Sequence, residues 1–240
     1  MQKLPFVCIF GLMAKRAFIL LFVVFWPFFI TLAQSSAERR VVIPQAHSSL
    51  KFTENLGQWD DKILFRAQLD GGLLFFEKNC LTFNFYDKNK LRSMHNGGVE
   101  KKLYKDYNIM CHAYKVHFDG CNSEIKVEKA KKGEDYENFY MGNDKTKWKG
   151  NVRNYHQIWM RNIYDGIDYE AITSVSGIKY NFILKPNANP QDIKMRYEGV
   201  DKIKLKDGSV RIKLSITEIV EQKPYAYQTI NGVVKEVVCK

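Results

Sequence analysis

"KIKLKDGSVRIKL", residues 202–214, can be folded on paper almost atom by atom, and its grammar extends to most of the chain. Asp207-Gly208 is the dipeptide favoured in a two-residue type I′ turn, because both central positions need positive φ. Fixing the turn there sets Lys206 opposite Ser209, Leu205 opposite Val210 and Lys204 opposite Arg211. Ile203 then faces Ile212, and Lys202 faces Lys213. Successive side chains alternate across a strand, so Ile203, Leu205, Val210 and Ile212 share one face, expected to turn toward a core. The other face carries Lys202, Lys204, Lys206, Arg211 and Lys213 with no acid among them. Like charges directly opposite each other repel. Either a polyanion offsets that repulsion, or the cations are solvated and keep an edge strand from pairing with other chains. These five residues are the candidate polyanion-binding set.

Short apolar runs broken by Gly, Asn and Asp continue on both sides of this hairpin. Strands are expected at 62–68, 72–77, 80–86, 108–118, 124–129, 152–161, 167–173 and 177–185. More follow at 192–198, 202–206, 209–214, 217–222, 224–229 and 233–238. No stretch beyond the N-terminal apolar run keeps a 3.6-residue period over three turns. Brief strands at close spacing with turn residues between them predict an all-β, β-sandwich-like module. A weak seam near 143–151 would divide it if it were two β-rich lobes. The polar insertion 88–107 reads as a mobile loop.

The N-terminus reads as an export signal. Lys15 and Arg16 precede the run "AFILLFVVFWPFFITL" (17–32), and Thr31 and Ala33 are the small residues expected before cleavage at Gln34. That 16-residue run, interrupted by Pro27, is shorter than the roughly 20 residues of a spanning helix. Translation could begin at Met1 or Met13. The expected organisation is a signal peptide at 1–33, a flexible leader at 34–51 and a β-rich module at 52–240. Export would place the chain in the periplasm, at the cell surface or outside, touching membrane only through the uncleaved signal.

The chain carries 37 basic and 26 acidic residues, and removing Lys3, Lys15 and Arg16 with the signal leaves a net charge of +8. This balance favours anionic partners such as acidic glycans, without bearing on the fold. Cys80, Cys111, Cys121 and Cys239 would survive cleavage. Two disulfides are possible in three pairings, and the spacings match no metal motif.

Candidate chemistry is sparse. "YDGIDYE" (164–170) places Asp165, Asp168 and Glu170 within reach of calcium binding or of the paired carboxylates of glycoside cleavage. It lacks the oxygen-ligand series of an EF-hand loop. Alternation puts Asp168 and Glu170 on one side of a strand and Ile167 and Tyr169 on the other, as a half-buried strand after an Asp-Gly turn requires. His112 and His117 would leave one strand on opposite faces, while His47, His95 and His156 lie in separate segments. There is no Gly-x-Ser-x-Gly elbow and no phosphate-cradling loop. No catalytic residue, cofactor or metal is therefore expected, nor a nucleic-acid partner. In "FTENLGQWDDKILFRA" (52–67), the Gln-Trp-Asp-Asp run beside Gly57 is either a sugar contact through Trp59 or the turn that starts a strand.

Several phrases taken in order resemble a known family: "FTENLGQWDDKILFRA", "HAYKVHFDGCN" (112–122), "ENFYMGNDKTKWKGNVRNYHQI" (137–158) and "NIYDGIDYE" (162–170). They continue with "IKYNFILKPNANPQDIKMRYEGVDKIKLKDGSVRI" (178–212) and "IVEQKPYAYQTINGVVKEV" (219–237). Together they resemble the uncharacterised N-terminal module of secreted Bacteroidota proteins. That module often precedes β-propeller-type repeats or adhesin-like domains and a gliding-motility-associated sorting domain. The resemblance covers 52–240 and implies export, commonly by the type IX pathway, with a place at the cell surface. It transfers no catalytic residue. This chain departs from the pattern at Asp165, Asn187, Asn189, Cys80 and Cys121. It also stops at "EVVCK", before the family's closing strands, so an open sheet edge and a truncated module are expected. The functional expectation is an exported, non-enzymatic surface module for interaction or adhesion, docking other surface domains or anionic glycans. The alternatives are a secreted glycan-directed hydrolase using the 165–170 acids, and a gene remnant that does not fold stably.

Overall fold

The computed structural model describes residues 6–11, 50–95 and 108–237, with backbone alone for 6–11 and 94–95. Most of the expected signal and leader, with His47, lies outside the described residues, as does Cys239. The chain is all-β. Its strands are β1 (Phe6–Gly11), β2 (Phe52–Glu54), β3 (Phe65–Leu69), β4 (Gly72–Phe76), β5 (Cys80–Tyr86) and β6 (Cys111–Phe118). Then come β7 (Lys126–Phe139), β8 (Lys149–Tyr164), β9 (Ile167–Ser174), β10 (Gly177–Leu184) and β11 (Met195–Glu198). The last are β12 (Lys202–Lys206), β13 (Ser209–Lys213), β14 (Glu218–Glu221), β15 (Tyr225–Ile230) and β16 (Val233–Val237).

A 13-stranded sheet runs in the order β11-β6-β5-β4-β3-β2-β8-β9-β10-β1-β15-β16, with β7 added alongside β8, and a three-stranded sheet runs β12-β13-β14. Neighbouring strands are antiparallel, as short connections dictate. The long sheet curls until strands far apart in its order face each other. Phe118 of β6 meets Tyr169 of β9 at a ring separation of 5.3 Å and Phe182 of β10 at 6.3 Å. Phe52 and Phe76 meet edge-on at 5.2 Å within the same core. Ile212, Leu214 and Ile219, from the small sheet and its connection, join that core rather than forming one of their own. Each such side chain fully withdrawn from water contributes about 1.5–3 kcal/mol, which is why alternation along so many short strands suffices to hold the fold.

Three expectations change. Residues 88–95 are not loop but a helix, α1 (Lys88–His95), started by the Asp87 carboxylate accepting the Asn89 and Lys90 amide N–H groups at 3.1 Å each. β9 is not half-buried: Ile167 to Ala171 are all buried, because the side chains of β8 and β10 cover its polar face too. The 202–214 hairpin keeps every expected pair, and Asp207 and Gly208 take the positive φ values of 53° and 76°. Its apolar face, however, is not wholly core-facing. Ile212 is 0% exposed, whereas Ile203 is 41% and Leu205 76% exposed, since β12 is the edge strand and extends past the core. The 143–151 stretch falls at the turn joining β7 to β8 within one continuous sheet.

Candidate functional site

The basic face of the small sheet is the first candidate. On β12, Lys202, Lys204 and Lys206 alternate along one side of an exposed edge strand, about 6.5–7 Å apart by strand geometry. Lys204 lies across from Arg211 and Lys202 across from Lys213. The third strand relieves part of the charge. Glu218 of β14 pairs in register with Lys213, and its carboxylate accepts from Arg211 Nη1 at 2.9 Å. No ion pair engages Lys202, Lys204 or Lys206 among the described residues. The result is an open, cationic strand edge.

The turn at Gly57 is built by Asn55. Its amide donates to the carbonyls of Asp60 (2.9 Å) and Ile63 (2.8 Å), and its oxygen accepts from the N–H of Gly57 (3.0 Å) and Trp59 (3.2 Å). Gly57 sits at φ +102°, a value that only glycine adopts readily. Trp59 is half-buried by this turn. Its ring meets Phe139 edge-on at 5.2 Å and carries the Arg66 guanidinium 4.7 Å from its centroid. Arg66 in turn reaches Glu137 at 3.5 Å. One face of the indole is thus taken by a cation, and the shallow cleft beside the turn is lined by Glu54, Asn55, Gly57, Ile63, Val127 and Lys129, not by Trp59.

The 165–170 acids are held in separate pairings. Asp168 accepts from Arg161 Nη1 at 3.1 Å and from the Asn162 amide at 2.7 Å. Glu170 accepts from the side-chain amides of Gln157 and Asn181, the latter at 2.6 Å. Asp165 sits at the exposed turn and accepts from Asn122 at 3.2 Å. Arg161 also lies over the Trp159 ring at 3.8 Å and donates to Glu128 at 2.8 Å. Hydrogen bonds from Lys126 and Arg161 hold the Glu128 carboxyl down to about 2. Among the described residues no three His, Cys, Asp or Glu side chains gather as a metal site. Cys80, Cys111 and Cys121 are free thiols.

The histidines also separate. His117 faces Glu198 at 2.9 Å, and His156 faces Thr173 Oγ1 at 2.9 Å. His112 Nε2 lies 2.7 Å from the Gly199 carbonyl, so it carries the proton. Nδ1 is thereby left to accept from the Ser215 N–H at 3.1 Å. That ring ties β6 to the two segments flanking the β12–β13 hairpin. The side chain of His95 is outside the described residues.

One constellation has no counterpart in the sequence reading. Glu221 of β14 is 5% exposed, and a single carboxylate oxygen accepts from Tyr180 Oη of β10 at 3.0 Å and Tyr197 Oη of β11 at 2.8 Å. Tyr114 and Tyr169 are buried close by. Burial raises the Glu221 carboxyl above its ordinary value, against the two tyrosine hydrogen bonds that lower it. Burial likewise raises all four tyrosines. The signal was present in "TEIVEQ": Glu221 shares strand parity with the inward-facing Ile219.

A family model described as a domain of unknown function (DUF7948) matches residues 52–240. No curated protein and no solved structure matches the chain.

Proposed function

The chain belongs to the DUF7948 family of domains of unknown function, and from that premise we propose that it is an exported, non-enzymatic interaction module whose basic strand edge engages an anionic surface glycan. The observation that carries this reading is the row Lys202, Lys204 and Lys206 on an exposed edge strand, in no ion pair among the described residues and extended across the hairpin by Arg211 and Lys213. A regular row of cations suits a partner whose anions also repeat. Solvation alone would explain scattered lysines equally well, but here the charges are stacked against one another across a ladder at a cost in repulsion. The acids that a hydrolase would need are instead spent on structural partners, Asp168 on Arg161 and Glu170 on Gln157 and Asn181.

The test is retention on a sulfated polysaccharide column. The chain carrying Lys202→Ser, Lys204→Ser and Arg211→Ser should elute at clearly lower salt than the wild type, with a shallower dependence of binding on salt, because fewer counterions are released. Equal elution of the two proteins would defeat the reading. Export is checked separately: amino-terminal sequencing of the secreted chain should begin at Gln34.

A further inference from the structure

β1 occupies an unusual position. It pairs with β10 along its whole length, Phe6 opposite Leu184 and Gly11 opposite Lys179. On its other side it pairs with β15, Phe6 opposite Gln228 and Ile9 opposite Tyr225. Both neighbours run antiparallel to β1, so β10 and β15 run parallel to each other across a gap of about 9–10 Å, the width that one intervening strand fills. Among the described residues, β15 pairs only with β1 and β16, and β16 only with β15. The β15–β16 hairpin therefore joins the large sheet through β1 alone.

In sequence, though, β1 precedes the apolar run 17–32 that reads as the export signal. A chain cut before Gln34 gives up the strand that fills this gap. Two rows of main-chain N–H and C=O groups would then face each other, too far apart to bond. Those rows are not on a dispensable fringe. Tyr180, Phe182 and Leu184 of β10 and Ala226 of β15 are all buried. Backbone groups there need partners, and an open edge of this kind is a template for a strand from elsewhere.

We propose that the gap between β10 and β15 is a strand-acceptor slot, filled in the exported protein by an apolar extended segment of a second polypeptide running antiparallel to β10. This inference rests on the export reading given above. The chemistry of the occupant is given by the segment seated there, "FVCIFG": uncharged, aromatic and β-branched, six residues long. Main-chain bonding on both sides supplies the affinity, and length and lack of charge supply the selection. Direct closure of β15 onto β10 is disfavoured because it would drag the β15–β16 hairpin about one strand width and swap two antiparallel ladders for one parallel ladder.

The experiment uses the full chain carrying Val7→Pro and Ile9→Pro, which removes donors from β1 and bars it from an internal strand. In the wild type, hydrogen exchange at the β10 and β15 amides facing the slot should be slow. In the variant those amides should exchange about tenfold faster or more, while β8–β9 stays protected. A synthetic peptide of residues 3–12 with Cys8→Ser, added in trans, should restore slow exchange, and the same peptide with prolines at positions 7 and 9 should not. Unchanged protection in the variant would mean that the gap closes by itself and would overturn the proposal. Fast exchange that the peptide leaves unaffected would overturn it too. Should the double variant lose β8–β9 protection, the single Ile9→Pro chain is read by the same criteria. Because these measurements are made on purified full chain, failure of the slot is distinguishable from failure of export, which the amino-terminal sequence of the secreted protein decides.

Discussion

Glu221 is a carboxylate enclosed by tyrosines, and its protonation should be visible in the stability of the chain. An ordinary glutamate titrates near 4.5, and burial raises Glu221 above that. The folded chain thus holds this proton more tightly than the unfolded chain. Stability from this site is complete at or below pH 4.5 and is lost as pH rises through the raised value. Glu221→Gln keeps an oxygen for Tyr180 and Tyr197 and removes the charge. The melting temperature of the variant relative to wild type should therefore increase as pH rises from about 4.5 through the raised value. A difference that stays flat over that range would contradict the assignment. Leu205 and Ile212 offer a second residue-scale contrast, since both are apolar and share a face of one hairpin. Ile212→Ala should cost about 2–5 kcal/mol in urea unfolding because Ile212 is wholly buried. Leu205→Ser should change stability by no more than about 0.5 kcal/mol, because its side chain is 76% exposed.

Among the elements, β4 and β5 approach most closely at Gly72. A Cβ there would stand 2.6 Å from the Asn84 carbonyl oxygen and 2.8 Å from Phe85 Cδ1. Backbone cannot yield as a flexible side chain can, so Gly72→Ala should lower stability by about 1–3 kcal/mol, measured by chemical denaturation. Asp207-Gly208 and Asn231-Gly232 turn their hairpins with paired positive φ values, and here local sequence does decide the element. The last ten-residue stretch of β7, "AKKGEDYENF", was less legible. Most of its residues are at least partly exposed and several are charged, so it lacks the apolar alternation that marks a strand. Its partner supplies the order instead: β8 runs alongside it through two shifts of register, between Lys132 and Tyr136 and between Glu137 and Phe139.

For the molecule as a whole, the small sheet is not a separate folding unit. Ile212, Leu214 and Ile219 belong to the same buried cluster as Phe52, Phe118 and Phe182, and Glu221 bonds to tyrosines of the large sheet. Heat unfolding should consequently give one cooperative calorimetric transition. Two resolved transitions would instead mean that the chain unfolds as two β-rich lobes. The partners of the large sheet are distant in sequence, as with β2 pairing to β8 and β6 to β11, so refolding should be slow for a chain of this size.

The sequence by itself determined most of the extended segments, where the Asp207-Gly208 hairpin turns and how its strands register, because alternation and turn chemistry act within a few residues. It also indicated the five cations of the basic face, which follow from that register alone. Only the tertiary structure decided that β12 extends past the core and leaves Leu205 in water. It alone placed Glu221 between Tyr180 and Tyr197, and Arg66 over Trp59. Those outcomes depend on which strands come to lie opposite one another once the long sheet curls, and that is set by packing between residues tens of positions apart, where no local pattern reaches.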